Sequence, residues 1–225
     1  MTTVRFTDTS TVTLYRAEAS DMDVARAAWV SQTPGAHEKE AEEGRVGGLI
    51  NFLIENRHTS PFEHGQFTFV AHVPLFVARE WHRHRTWSYN EVSGRYTTME
   101  PEFYVPAMDR PTTQTGKVGS YQFTPDDKVA AHVRDELERT AQYAWGGYEY
   151  LLKQGAAKEV ARMALPLNLM TTFWATANPL NVMRFLTLRT DPQAMYEIRM
   201  AAGQIEQHFA DAMPLTYEAW KRHGI

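Results

Sequence analysis

QFTFVAHVPLFVAREWHRHR, residues 66 to 85, decides the class of fold. Phe67, Phe69, Ala71 and Val73 recur at every second position, the period of a strand with one face on a core. Pro74 fits the first turn of a helix, where its missing N–H and fixed φ cost little, and the spacing predicts a helix from there to about Arg85. Phe76 and Trp81 share a face of that helix and read as core.

Outward from this unit, strands and helices do not alternate in a βαβ rhythm. Thr11–Ala17 (TVTLYRA) alternates loosely and reads as a strand, and Leu167–Ala177 (LNLMTTFWATA) is β-branched and aromatic enough for another. Ser20 with Asp23 three residues on resembles a capping box opening a helix to about Val30, broken by Pro34-Gly35. A second helix, from about Glu38 to Asn56, carries Val46, Leu49, Ile50 and Leu53 at helical spacing despite three glycines. Thr124 as cap, Pro125 and Asp127 open a long helix with an apolar face at Val129, Val133, Leu137, Ala141, Ala144 and Tyr148, ending near Gly155. A short helix holding Glu159 and Arg162 stops near Pro166, and Asn178-Pro179 and Asp191-Pro192 start helices over 179–190 and 192–212. Trp87–Tyr96 has no period and reads as a loop. Residues 106–123, rich in Pro, Gly, Thr and Ser, read as a mobile lid or a disordered excursion. The fold class is α+β: a single domain over 1–225, with long helices packed around a small, mainly antiparallel sheet.

Composition narrows the function. A chain of 225 residues with 43% hydrophobic content can build a real core. A net charge of −4 gives no general attraction for nucleic acid or an anionic membrane, so any anion site is local. No window is apolar enough to span a membrane and the N-terminus carries no secretory pattern, so a cytoplasmic protein is expected. Zero cysteines remove thiolate nucleophiles and thiolate metal sites.

Within this acidic chain, residues 79–95 concentrate Arg79, Arg83, Arg85 and Arg95 with His82 and His84, against Glu80 and Glu91. Consecutive side chains of Arg83-His84-Arg85 diverge whether helical or extended, so two ligands, or one that passes around a helix end, account for them better than a single phosphate. Arginine is apt because its planar fork binds phosphate oxygens bidentately. The bland alternative is that these arginines offset a helix dipole and pair with Glu80 or Glu91.

Arg83-His84-Arg85, seven residues, then Ser93, in RHRTWSYNEVSGR, is similar to the signature of flavin-dependent thymidylate synthases, with Ser88, Asn90, Glu91, Gly94 and Arg95 also in family positions. Ser60-Pro61-Phe62-Glu63-His64 resembles the family's (S/T)PFEH segment, and Glu159–Asn168 and Phe185–Arg189 resemble its C-terminal ligand segments. The resemblance implies a methyltransferase, a homotetramer with one FAD per subunit at subunit interfaces. It would convert dUMP to dTMP with 5,10-methylenetetrahydrofolate as carbon donor and NAD(P)H as reductant. It places Ser60, Arg83, His84, Arg85, Glu91, Asn178, Arg184 and Arg189 at the flavin, with His58 near flavin and folate. It places Glu80, Arg83, Glu91, Ser93, Gly94, Arg95, Arg162 and Arg189 at dUMP. Arg95 and Arg162 suit the phosphate, and the Ser93-Gly94 turn can present backbone N–H groups to it.

Arg189 matches the residue the family sets against uracil, where a guanidinium favours a polarised or N3-deprotonated base, and is the expected catalytic residue. Ser93 has no evident base beside it and reads as nucleotide-binding; His64 reads as structural. Arg184 stands where relatives often carry Asn or His, and Glu80 where some carry Gln. Trp87 and Tyr96 are the candidate stacking residues. A metal hydrolase built on His82 and His84 lacks a third ligand at characteristic spacing, so no metal is expected. Another rival is a non-catalytic nucleotide- or nucleic-acid-binding oligomer using the 79–95 arginines with Trp81, Trp87 and Tyr89. A purely structural role for the arginines in interchain ion pairs is a third.

Overall fold

The computed structural model describes residues 2–31, Gly35 and 43–225. The expected break at Pro34 and the first residues of the helix expected from Glu38 lie outside these. By where its contacts concentrate, the chain forms two compact units, one of residues 1–10, 72–81 and 91–173, the other of 11–71, 82–90 and 174–225.

The second unit follows the local signals closely. Strand β2 (Thr11–Glu18) leads to α1 (Asp21–Val30). Ser20 Oγ accepts from the Asp23 N–H at 3.2 Å and donates to the Asp23 carboxylate at 2.6 Å, which closes the expected capping pair. Helix α2 (Glu43–Glu55) follows, its Val46, Ile50, Leu53 and Ile54 buried. Strand β3 (Gln66–Pro74) buries Phe67, Phe69, Ala71 and Val73 completely, as the period of two requires.

The helix after it differs from expectation. Pro74 ends the strand, and α3 (Leu75–Trp81) stops four residues short of Arg85. Val77, Ala78 and Trp81 form its buried stripe, and His82-Arg83-His84-Arg85 offers no apolar side chain to continue it. Trp81 packs edge-on against Phe173 at 5.2 Å, so its core assignment holds. The segment expected to be an irregular loop contains β4 (Ser88–Glu91). With β8 (Met170–Ala177) these strands form a four-stranded sheet ordered β2-β3-β8-β4.

In the first unit, β1 (Arg5–Thr7) pairs in parallel with β5 (Glu102–Tyr104). The supposed lid or excursion contains an ordered antiparallel hairpin, β6 (Thr113–Lys117) and β7 (Ser120–Thr124). The hairpin depends on glycine inside β6: Gly116 has φ of 94°, and a Cβ there would lie 2.4 Å from the Ser120 carbonyl oxygen. Because Thr124 is taken by β7, the cap of α4 (Asp127–Lys153) is Asp126, whose carboxylate accepts from the N–H groups of Lys128 at 3.0 Å and Val129 at 3.1 Å. Ala141, Trp145 and Tyr148 of α4 build a core with Phe103, Ala161 and Leu169, whereas Val129 is exposed. Helix α5 (Lys158–Ala161) continues as a 3-10 turn through Arg162–Ala164. The expected strand from Leu167 begins only at Met170, because the Leu169 N–H turns back to the Pro166 carbonyl at 3.1 Å.

The remaining helices belong to the second unit. Asn178 caps α6 (Pro179–Arg189) as expected, accepting from the Asn181 N–H at 3.0 Å. Helix α7 (Tyr196–Ala212) starts later than Pro192, since the Asp191 carboxylate instead closes a turn on the Gln193 N–H at 2.7 Å. A further helix, α8 (Pro214–His223), follows Met213 and was not anticipated.

The N-terminus of α8 is capped from across the sequence by buried Asp21, whose carboxylate accepts from the N–H groups of Leu215 and Thr216 at 2.9 Å and from the Thr216 hydroxyl at 2.6 Å. Asp21→Ala strands these donors, and the expected loss is about 2–3 kcal/mol of unfolding free energy by urea titration. A loss below about 0.5 kcal/mol would mean that the cap does not hold α8 in place.

Candidate functional site

Residues 82–87 form the turn that carries Arg83-His84-Arg85. The His84 carbonyl accepts from the Tyr89 hydroxyl at 2.9 Å and from the Trp87 N–H at 3.3 Å. Trp87 is buried, its ring 5.3 Å from Phe185 and 6.2 Å from Phe69, and its indole N–H donates to the Asn181 carbonyl at 3.3 Å. It is therefore a core anchor, not the stacking platform expected; Tyr96, by contrast, is 79% exposed. Above this anchor Arg83 and Arg85 are exposed and His84 is half-buried, so the three side chains do diverge.

Helix α6 supplies the other face. The Arg189 Nε–H donates to His84 Nε2 at 3.0 Å, and the His84 ring meets Phe185 edge-on at 4.9 Å. Burial pushes the Tyr89 phenol well above its ordinary range, and the nearby Arg189 charge offsets this only in part. Arg184 is exposed on the same helix. Ser60 opens an exposed 3-10 turn, Ser60–Glu63, anchored by buried Pro61 and Phe62 and packed near α6. His58 is exposed, its ring edge-on to Phe52 at 5.9 Å, and His64 is exposed at the end of the turn. His58, Ser60, Arg83, His84, Arg85, Asn178, Arg184 and Arg189 thus all belong to the second unit.

Glu80, Glu91, Ser93, Gly94, Arg95 and Arg162 belong to the first. There a cavity of about 200 Å³ has Glu91, Gly94 and Arg162 as its polar side and Leu75, Met99 and Leu169 in its apolar wall. Glu91 is oriented by the Thr171 hydroxyl, which donates to it at 2.7 Å. Gly94 is buried against the Arg162 stem: a Cβ would come within 2.9 Å of Arg162 Cδ and 3.0 Å of Met99 Sδ. Arg95 points its Nε–H to Glu159 at 2.7 Å, an exposed pair. Ser93 Oγ accepts from the Arg95 N–H at 3.3 Å, which closes the turn at Ser93-Gly94 on its own side chain. Glu80 is half-buried on α3.

Sequence reading missed Met99 and Thr171, and it did not anticipate the contacts that Tyr89 and Phe185 make with His84. Each is an ordinary core or strand residue by type, and only tertiary placement brings it to a site. Among the described residues no three His, Cys, Asp or Glu side chains are grouped to hold a metal ion. His82 instead lies against the Tyr89 ring at 4.6 Å, while His84 faces Phe185 and Arg189. No helix among the described residues is long and apolar enough to cross a membrane.

The family model described as thymidylate synthase complementing protein matches residues 13–215. A flavin-dependent thymidylate synthase of Streptomyces avermitilis is 41% identical over 95% of this chain and 92% of its own. One of Thermus thermophilus is 39% identical over 98% of this chain and 79% of its own. The crystal structure of a UMP/dUMP methylase, PolB from Streptomyces cacaoi, bound with 5-Br dUMP, superposes with a TM-score of 0.93 at 38% identity, covering 98% of each chain. The same methylase bound with 5-Br UMP gives 0.91 at 37% identity. With the family model matching residues 13–215 and relatives about 40% identical over nearly the whole sequence, the chain belongs to the flavin-dependent thymidylate synthase family.

Proposed function

We propose that the protein is a methyltransferase that converts dUMP to dTMP, with 5,10-methylenetetrahydrofolate giving the carbon, NAD(P)H the reducing equivalents and FAD carrying the hydride. It works in the cytoplasm as a homotetramer with one FAD per subunit at subunit interfaces. The observation that carries this reading is the cavity bearing Glu91, Gly94 and Arg162. Residues separated by about seventy positions converge there on one space with a cationic group, a carboxylate and an apolar wall, a combination suited to a nucleoside monophosphate.

The residues of the second unit fit FAD by their chemistry. Arg83, Arg85 and Arg184 are exposed guanidiniums, donor-only planar forks that match pyrophosphate oxygens. Once bound and reduced by NAD(P)H, the flavin would supply the hydride. Ser60, His58 and Asn178 belong to the same unit, with Asn178 already committed through its side-chain oxygen to the α6 cap. Glu80, Ser93 and Arg95 complete the nucleotide side, where Arg95 exchanges its exposed partner Glu159 for the phosphate. Arg189 holds positive charge against the uracil carbonyls and so makes C6 more electrophilic. A chain without cysteine cannot form a thiolate adduct at C6, so this electrostatic activation is the route its own side chains offer.

Purified protein incubated with FAD should show the two bands of oxidised flavin, near ~370 and ~450 nm, and should release dTMP when given dUMP, NADPH and methylenetetrahydrofolate. A colourless, folded protein would reject the reading. UMP belongs in the same assay, because the solved relative is a UMP/dUMP methylase. Arg189→Ala should keep its FAD and lose about 10²- to 10³-fold in dTMP formation; unchanged turnover would remove Arg189 from the chemistry. Gly94→Ala, which crowds Arg162 and Met99, should raise KM for dUMP about tenfold at unchanged FAD uptake. An unaltered KM would displace the nucleotide from this cavity.

A further inference from the structure

A guanidinium has five N–H donors and no acceptor. In the 3.0 Å contact between Arg189 Nε and His84 Nε2 the imidazole nitrogen must therefore accept, and a ring that accepts at Nε2 carries its proton on Nδ1. The contact exists only while His84 is neutral.

We propose that neutral His84 is the positioning residue for Arg189, and that taking up a second proton releases the arginine. This rests on the reading of Arg189 as the group that meets uracil and deepens it. An arginine fork hangs on several rotatable bonds; fixing Nε sets the plane of the guanidinium and leaves its two terminal amino groups as the edge that can meet carbonyl oxygens in pairs.

His84 is suited to anchor, since it is itself fixed at two points. Its carbonyl accepts from the Tyr89 hydroxyl at 2.9 Å, and its ring lies edge-on to Phe185 at 4.9 Å. The titratable and charged groups facing it include Arg189 from α6 and Tyr89 from β4, with His82, Arg83 and Arg85 beside it in its own turn. Arg189 is a cation and the Tyr89 phenol is held protonated by burial. A protonated His84 would set N–H against N–H and cation against cation, so the contact breaks. The sign follows: alignment of Arg189 is complete above the pH at which His84 takes up its second proton and is lost as pH falls through it.

The test uses FAD-loaded protein with ¹⁵N-labelled histidine. Long-range ¹H–¹⁵N spectra should show His84 with its proton on Nδ1, and in Arg189→Ala the titration midpoint of His84 should rise by at least about one pH unit. A proton on Nε2, or a midpoint indifferent to Arg189→Ala, would overturn the proposal. Kinetics give a second readout, with flavin content measured for each variant because His84 also stands at a flavin position by resemblance. The native kcat should fall on the acid side with a single proton uptake. His84→Gln, whose Oε1 can accept where Nε2 does but cannot take a proton, should lose that acid limb while turning over about tenfold faster than His84→Ala. An acid limb that persists in His84→Gln, or equal rates for the two variants at equal flavin content, counts against the proposal. If the flavin-loaded protein makes no dTMP at any pH, the reaction reading fails, and the tautomer and titration still decide whether His84 anchors Arg189.

Discussion

The burial of Trp87 is the constraint on which the signature turn depends. Six irregular residues bearing two arginines and two histidines have little reason to hold one conformation, because ordering each costs about 1–2 kcal/mol of backbone entropy. The indole offsets that cost. It fills a space between Phe69 of β3 and Phe185 of α6 and satisfies its N–H on the Asn181 carbonyl. Removing a buried aromatic of this size typically costs about 3–5 kcal/mol. The turn thus inherits its geometry from the core beneath it, and its polar side chains do not have to supply the energy that holds it.

This arrangement also resolves the electrostatics. The chain is acidic overall, yet Arg83, Arg85, Arg95, Arg162 and Arg184 are all exposed. Exposed guanidiniums escape the desolvation penalty that buried charges carry, so the cationic surface costs the fold little. Their existing pairs are weak for the same reason: an exposed bond such as Arg95 to Glu159 is worth about 0–1 kcal/mol, which a phosphate dianion readily outcompetes. Beside them lie more fixed features, buried Gly94 packed on the Arg162 stem and half-buried Glu91 held by Thr171.

Where structure follows from neighbours in sequence, it was legible. The Ser20–Asp23 cap, the alternation of β3 and the Asn178-Pro179 start of α6 are signals contained within four to eight residues, and each holds. The failures occur where two local signals compete. Thr124 and Asp126 are both good caps, and pairing of Thr124 with Thr113 in the hairpin left Asp126 to start α4. Pro74 suits a helix start and a strand end equally, and the sheet claimed it. Trp87 looked like a loop aromatic because nothing local reveals that Phe69 and Phe185 close over it. At the site, the residue identities came through resemblance, whereas the contact between His84 and Arg189 spans 105 positions and is invisible to any local pattern.

The two polar residues that a reader of the sequence would weigh for catalysis, Ser93 and Arg189, are separated by what surrounds them. Ser93 spends its oxygen as an acceptor for the Arg95 N–H, the behaviour of a turn-forming serine, and a nucleophile would need a base drawing off its proton instead. Arg189 sits in the last turn of α6, where the negative end of the helix dipole favours a cation. The His84 ring accepts a hydrogen bond from it without bringing negative charge, and the neighbouring Tyr89 phenol is kept neutral by burial. A carboxylate in the place of the His84 ring would bind the guanidinium more tightly, whereas a neutral acceptor orients it without adding a negative charge.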